Sequence, residues 1–270
     1  MSVVVAFAVC ALCIVILSVL LIIYLYRSKP IVSSSPLITC VMITAGRDKL
    51  ARASVENFRN QSYRHKHLLI VNNGAGASLA DPERMYNVTE LRVERGDMTL
   101  GDLRNMAFEF IPYGGLFCVW DDDDHRSPDY LETLHNSMVK NGADAVCFQN
   151  RLEYNMTTGF AWRTFLQRGF VTVLARKDYR VRYLSKDTME DLELLDSMRA
   201  VYRVHIMTDN DPRMYVRLVH GSNTSEYIVP NKVAVVRNDP SASWQEHPLT
   251  PKEDAWIRAT YVPLLEASLR

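Results

Sequence analysis

The sequence predicts an α/β fold built on a mostly parallel sheet and preceded by one transmembrane helix. First, short β-rich apolar runs alternate with amphipathic stretches: LITCVMIT at Leu37–Thr44 leads through Ala45-Gly46-Arg47-Asp48 into a helix reaching about Gln61, and HLLIV follows at His67–Val71. This alternation implies parallel strands joined by right-handed crossovers, with functional residues collected at the strand ends. Second, Leu116–Trp120 is an unbroken apolar run of strand length, the pattern of a strand buried on both faces, and four aspartates follow it. Third, Val3–Tyr26 is uninterrupted apolar sequence, long enough for a helix to cross the hydrocarbon core of a bilayer.

The chain has 270 residues, room for one sizeable α/β domain and its attachments, and its 31 basic and 31 acidic residues leave no net field. Charge therefore gives no reason to expect nucleic acid as a partner. The N-terminal run lacks a charged leading segment and a small-residue cleavage site, so residues 1–26 read as an uncleaved single-pass anchor with Tyr24 and Tyr26 at the interface. Arg27 and Lys29 follow the span and no basic residue precedes it, which places the domain in the cytoplasm. Asn60-Gln61-Ser62, Asn87-Val88-Thr89, Asn155-Met156-Thr157 and Asn223-Thr224-Ser225 are acceptor sequons that matter only in a secretory or Golgi lumen, so both orientations stay open. Residues 27–36 read as a Ser- and Pro-rich linker. Cys40, Cys118 and Cys147 lie in strand-like runs as small core residues, with no disulfide or metal spacing among them.

Further elements follow in order. Leu91–Val93 reads as a short strand, Asp102–Phe110 as a helix leading into the acidic strand, and Ser127-Pro128 as the start of a helix with Tyr130, Leu131, Leu134 and Met138 on its apolar face. Ala143–Phe148 and Gly169–Ala175 read as strands, the second in a smaller mixed part of the sheet. A helical pattern carries Leu192, Leu195, Met198 and Val201, and Met214–Val219 reads as the final strand. In the tail, residues 241–270, Thr250, Pro251 and Glu253 form a capping box. The helix that follows, with Trp256 and Ile257, either packs on the domain or lies at a membrane surface.

Chemistry concentrates in Asp121, Asp122, Asp123 and Asp124. Four consecutive carboxylates at the edge of a core repel one another and need protons or a counter-charge. A hard divalent cation, Mn²⁺ or Mg²⁺, meets that need with oxygen ligands, the rest of its shell coming from water and phosphate. A solvated acidic loop is the plain alternative.

The order of ITAGR after the first strand, SVENFRNQSY, VNNG after the second strand, LGDLRN, the acidic run, MEDLELL and finally HGSNT resembles inverting glycosyltransferases of family 2, over about residues 37–224. The resemblance implies a GT-A type, Rossmann-like domain over residues 37–240 with a smaller acceptor-side part. It also implies a nucleotide-diphosphate sugar as donor and transfer to the hydroxyl of a glycan, lipid or protein acceptor. By resemblance, Asp121 and Asp123 form the D-x-D pair at the metal, with Asp124 next and Asp122 among the nucleotide contacts. His220 faces the metal or diphosphate, and Glu190-Asp191 is the ED motif with Asp191 as base. Arg104 and Asn105 lie beneath the nucleotide, while Thr44, Ala45 and Arg47 occupy the strand end that binds base and ribose. Arg104 read without the resemblance bridges to Asp102 or Glu109.

One position departs from the family pattern. The second strand ends in Asn72-Asn73-Gly74 where the family has Asp-Asp-Gly, which keeps hydrogen bonding but leaves base preference open. Two other functions compete: a nucleotidyltransferase on the same sheet, and a non-catalytic anchored protein that binds sugar or nucleotide. The acceptor pocket is expected in Gln149–Arg168, where Trp162 is either a sugar platform or a core aromatic.

Overall fold

All but one of the strands predicted from apolar runs assemble into one main sheet: the run ending at Ala175, expected in a smaller mixed part, joins it, and Met214–Val219 instead enters a second sheet. In the computed structural model, which describes residues 35–81, 83, 85–94, 96–167, 169, 172–188, 190–220 and 244–263, β1 (Ile38–Thr44) lies between β2 (Lys66–Asn72) and β4 (Leu116–Val119), parallel to both. β3 (Val88–Arg92) extends this sheet beyond β2. On the other side, β9 (Leu174–Arg176) runs antiparallel between β4 and β6 (Ala145–Phe148), and β10 (Val204–Met207) completes the seven-stranded order β10–β6–β9–β4–β1–β2–β3. The expected anchor at residues 1–26 falls outside the described residues. Among those described, no helix is long and apolar enough to cross a membrane.

Helices cover both faces, which is why the strands read as continuous apolar runs. Ile38, Cys40 and Met42 pack with Val55 and Phe58 of α1 (Asp48–Arg59) and with Leu134 and Met138 of α3 (Tyr130–Asn141). Their neighbours Val41 and Phe117 point the other way, into Leu103 and Phe108 of α2 (Leu100–Phe108) and Leu195 and Met198 of α4 (Glu190–Val201). Cys40, Cys118 and Cys147 are buried free thiols, as expected of small core residues.

A second, five-stranded sheet follows the order β12–β8–β7–β11–β5. It contains a hairpin of β7 (Asn150–Asn155) and β8 (Ala161–Leu166), β11 (Tyr215–Val219) parallel to β7, β5 (His125–Arg126) directly after the aspartates, and β12 (Trp244–Pro248). The hairpin was not evident in the sequence because Arg151, Glu153 and Thr164 are buried polar residues that satisfy one another. Glu153 accepts from Arg151 Nη2 at 2.8 Å and from the Thr164 hydroxyl at 3.0 Å. The tail helix α5 (Pro251–Trp256) has the predicted capping box, and Ile257 just beyond it is buried against Leu152, Val216 and Leu218, so the described part packs on this sheet.

Four local expectations are corrected. The strand at Met214–Val219 is not the final one, because β12 follows it and pairs with β8. Strand β3 starts at Val88 rather than Leu91. Helix α2 starts two residues early because Thr99 and Asp102 form a capping box. Ser127 does not cap α3: its hydroxyl bonds Asp129 at 2.6 Å, and the helix start is capped instead by Gln61, whose side-chain oxygen accepts from Leu131 N–H at 3.1 Å.

Gly101, in the first turn of α2, donates its N–H to the Lys186 carbonyl at 3.0 Å, and a Cβ there would stand 1.9 Å from the Leu184 carbonyl oxygen. Backbone against backbone leaves no rotamer to yield. Gly101→Ala is therefore expected to destabilise the domain by roughly 1–3 kcal/mol, the usual cost of overpacking, read as a lower chemical-denaturation midpoint. An unchanged midpoint would show that the 184–186 segment yields without cost.

Candidate functional site

The acidic run is fixed from below before any of its carboxylates is considered. Trp120 is fully buried, its indole N–H donates to Ser54 Oγ at 2.9 Å, and Ser54 donates in turn to the Asp121 carbonyl at 2.9 Å. Arg126, also fully buried, lies 4.2 Å from the Trp120 ring and 4.9 Å from the Tyr215 ring, and donates to the carbonyls of Asp121 at 3.3 Å and Asp124 at 3.4 Å. The chain after β4 thus bends around a guanidinium held in an aromatic cage.

That bend sends the four carboxylates in different directions. Asp121 accepts from the Tyr215 hydroxyl at 3.0 Å, and its oxygens lie 3.6 Å from Arg126 and 3.7 Å from Arg104. Asp122 and Asp123 are bridged by Arg47, at 2.7 Å to each, and His220 Nε2 meets Asp123 at 3.1 Å. Asp124, expected at the metal, turns into the second sheet, where it shares the Tyr215 hydroxyl with Asp121 and accepts from the Leu218 N–H at 3.0 Å.

Their protonation follows these surroundings. Burial, then the neighbouring Asp123 charge, pushes Asp122 up to about 7 even with Arg47 in contact. Burial and Asp123 likewise push Asp124 up to about 7. For Asp123 burial pulls upward, but the His220 hydrogen bond and Arg47 outweigh it and hold the carboxyl below its ordinary range.

Arg104 joins this cluster to the second acidic motif. Its guanidinium lies 3.7 Å from Asp121, 3.4 Å from Glu190 and 5.1 Å from the centre of the Tyr183 ring. The bridges to Asp102 or Glu109 that the sequence allowed are not made: Asp102 caps α2 and Glu109 pairs with Arg182 at 2.5 Å. Burial raises the Glu190 carboxyl and Arg104 draws it back. Asp191 follows, half-buried in the first turn of α4, where helix N-termini favour a carboxylate.

The remaining predicted residues shape the surroundings. Asn105 exchanges hydrogen bonds with the Tyr183 backbone, at 2.8 and 3.0 Å, and so sets the ring against Arg104. Asn72 donates to Glu90 at 2.8 Å and accepts from Gly74 N–H at 2.8 Å, while the Asn73 N–H donates to the Thr44 carbonyl at 3.0 Å. Both asparagines therefore build the turn beside the first strand end, and a Cβ on Gly74 would stand 2.6 Å from the Gly46 nitrogen. Thr44 is buried against Asp122, and Ala45 is exposed at the rim. Trp162 stacks on Phe160 with ring centres 5.8 Å apart and is half-buried. Tyr215, Tyr183 and Ser54 carry no motif and were missed; Arg126, two residues after the last of the four aspartates, was a readable counter-charge.

The cleft is lined by Arg47, Leu100, Arg104, Asp121, Asp122, Asp123 and Tyr183 and has about 80 Å³ of room, with Arg47 lying across two of its carboxylates. Among the described residues no three His, Cys, Asp or Glu side chains stand together as a complete metal cage. The donors nonetheless fit a cation that takes most of its shell from water and phosphate: one Asp122 oxygen is buried with no hydrogen-bond partner, beside Asp123.

Residues 39–199 match the family model described as Glycosyl transferase family 2. No curated protein matches the sequence. Similar solved structures include S. aureus TarS 1-349, with a TM-score of 0.54 at 12% identity over 67% of this chain and 60% of that one. The same protein in complex with UDP gives 0.53 at 14% identity, over 67% of this chain and 60% of that one. Its complex with UDP-GlcNAc gives 0.53 at 12% identity, over 71% and 61%. The chain thus spans about three fifths of the length of those TarS structures, and at this identity the likeness establishes the fold.

Asp122 and Asp124 keep protons in the folded chain that unfolded carboxyls, with ordinary values near 4, have released, so these groups make stability fall as pH rises from about 4 to about 7. Asp124→Asn removes one of them while keeping an acceptor for Leu218 N–H. The variant is expected to show a smaller drop in melting temperature between about pH 5 and about pH 8 than the parent, by circular dichroism. An equal drop would assign the slope to other groups.

Proposed function

Because the chain belongs to glycosyl transferase family 2, we propose that this glycosyltransferase moves a sugar from a nucleotide-diphosphate sugar to an acceptor hydroxyl with inversion, dependent on a divalent cation and anchored to a membrane by residues 1–26. The observation that carries the reading is Arg104, which ties the acidic strand end to Glu190 and so joins the two motifs that such a transfer needs on opposite sides of the sugar.

Mn²⁺ or Mg²⁺ at Asp121 and Asp123 would stabilise the negative charge that develops as the nucleoside diphosphate leaves. The chain's own groups do the rest. Arg104 lies under the cleft as a fixed positive charge, held by Tyr183 and Asn105, and favours a diphosphate above it. Arg47 sits at the end of β1 where its guanidinium reaches either carboxylate or phosphate. Asp191 takes the acceptor proton as the new bond forms, while Glu190, paired with Arg104, holds the start of α4 in place. UDP and UDP-GlcNAc bound to TarS support a nucleotide sugar as donor. The acceptor, whether glycan, lipid or protein, would enter from the second sheet near Trp162.

Asp191→Asn is expected to lower kcat by about 10²–10⁴-fold with donor binding retained, the range that general-base removal gives, in an assay of nucleoside diphosphate release with a panel of nucleotide sugars and acceptors. Release of pyrophosphate would instead indicate nucleotidyl transfer and overturn the reading. Asp123→Ala is expected to abolish the stabilisation that Mn²⁺ gives in a thermal melt; an undiminished shift would move the cation away from the acidic run.

A further inference from the structure

All strands of the main sheet except β9 run the same way, so the sheet has two unlike edges. The cleft stands at the carboxyl ends. At the opposite edge lie the entry of the chain into β1, the starts of β2, β3, β4, β6 and β10, and the ends of α2, α3 and β9. Eight large hydrophobic side chains are exposed among the described residues, and six belong to this opposite edge: Leu37, Tyr86, Phe110, Tyr113, Val139 and Tyr179. Tyr86 is 96% exposed, two residues before β3. Tyr113 and Tyr179 stack on each other with centres 6.4 Å apart and remain 72% and 69% exposed. Exposed Arg64, Lys140 and Arg203 stand at the same strand starts and helix end.

This is not the scatter of single apolar residues that ordinary surfaces carry. Tyrosines with an apolar body and a wet hydroxyl, interspersed with long basic side chains, suit the boundary between hydrocarbon and water. The connectivity names the occupant. Ten residues, 27–36, separate the end of the apolar run Val3–Tyr26 from Leu37, and ten residues reach at most about 35 Å when fully extended. The edge at which β1 begins is thus tethered near whatever that run enters.

We propose that this edge is a membrane-docking surface, with the aromatic residues seated in the lipid headgroup layer and the basic residues on anionic headgroups; the proposal rests on residues 1–26 being a membrane anchor. The cleft then opens on the far side of the sheet, one strand length of about 20 Å from the bilayer, and receives an acceptor that extends into water.

The test uses the full chain carrying Cys10→Ala and Cys13→Ala, inserted into nanodiscs of mixed phosphatidylcholine and phosphatidylserine, with a spin label at Tyr113→Cys, Tyr179→Cys or, as an exposed site on the cleft side, Leu184→Cys. All three positions are exposed, so the labels leave the core intact. Labels at 113 and 179 are expected to collide with oxygen several-fold more, and with a water-soluble nickel chelate several-fold less, than the label at 184. If the chain inserts and all three labels show the same aqueous accessibility, the docking proposal fails and the anchor stands. Dipolar coupling between labels at 113 on two copies would instead assign the patch to self-association. A chain that never enters the nanodisc removes the anchor and the proposal together.

Discussion

Four aspartates in succession at the end of a buried strand would tear an edge of the core open unless their charge were divided. The structure divides it by direction. Asp121 and Asp124 meet at the Tyr215 hydroxyl, Asp122 and Asp123 share Arg47, and Arg126 passes beneath the bend with its face on Trp120. Other features follow from this arrangement. Strand β11 must lie beside β5 to bring Tyr215 and the Leu218 amide to the run, which places His220, just beyond β11, against Asp123. The second sheet is thus fastened to the first by carboxylates as well as by apolar contact.

Burying so many ions is costly unless each has partners. Glu153 illustrates the solution away from the cleft: burial alone would raise its carboxyl, yet Arg151 and Arg217 keep it below the ordinary value. Arg104 illustrates it inside the cleft, compensated by Tyr183, Asp121 and Glu190 rather than by one acid. A shared cation is a sensible device where charge must move during a reaction. Each partner is only partly satisfied, so a bound diphosphate or a developing charge can redistribute the interaction without leaving a bare ion behind.

How much of this could be read beforehand depends on what kind of signal each element carries. The strands of the first half were legible because burial on both faces leaves an unbroken apolar run, and the order of ITAGR, LGDLRN, the aspartates and MEDLELL already pointed to family and fold. The β7–β8 hairpin was opaque because its inward residues include Arg151, Glu153 and Thr164, whose polarity hides the alternation. The separate fates of Asp121 to Asp124 were also opaque. Neighbouring residues in an irregular bend obey no period, so only Tyr215, Leu218 and Arg47, far away in sequence, decide where each carboxylate points. Asn72 and Asn73 stand where acids were expected; the Asn72 amide bonds Glu90 and Gly74 and the Asn73 N–H bonds the Thr44 carbonyl, so the turn is built without a carboxylate of its own and the acid stands on the neighbouring strand.

Strand β9 has a consequence for how the chain is made. It is the one antiparallel member of the main sheet, and it fills the gap between β4 and β6, pairing Leu116 with Arg176, Phe117 with Ala175 and Cys118 with Leu174. On a ribosome, β1 through β4 emerge well before it, so β4 waits as an open edge with an apolar sequence suited to joining another chain. The aspartates at its end repel a second copy laid alongside in register, as gatekeeper charges do. The residues proposed to hold the leaving group would also guard the nascent sheet until β9 arrives.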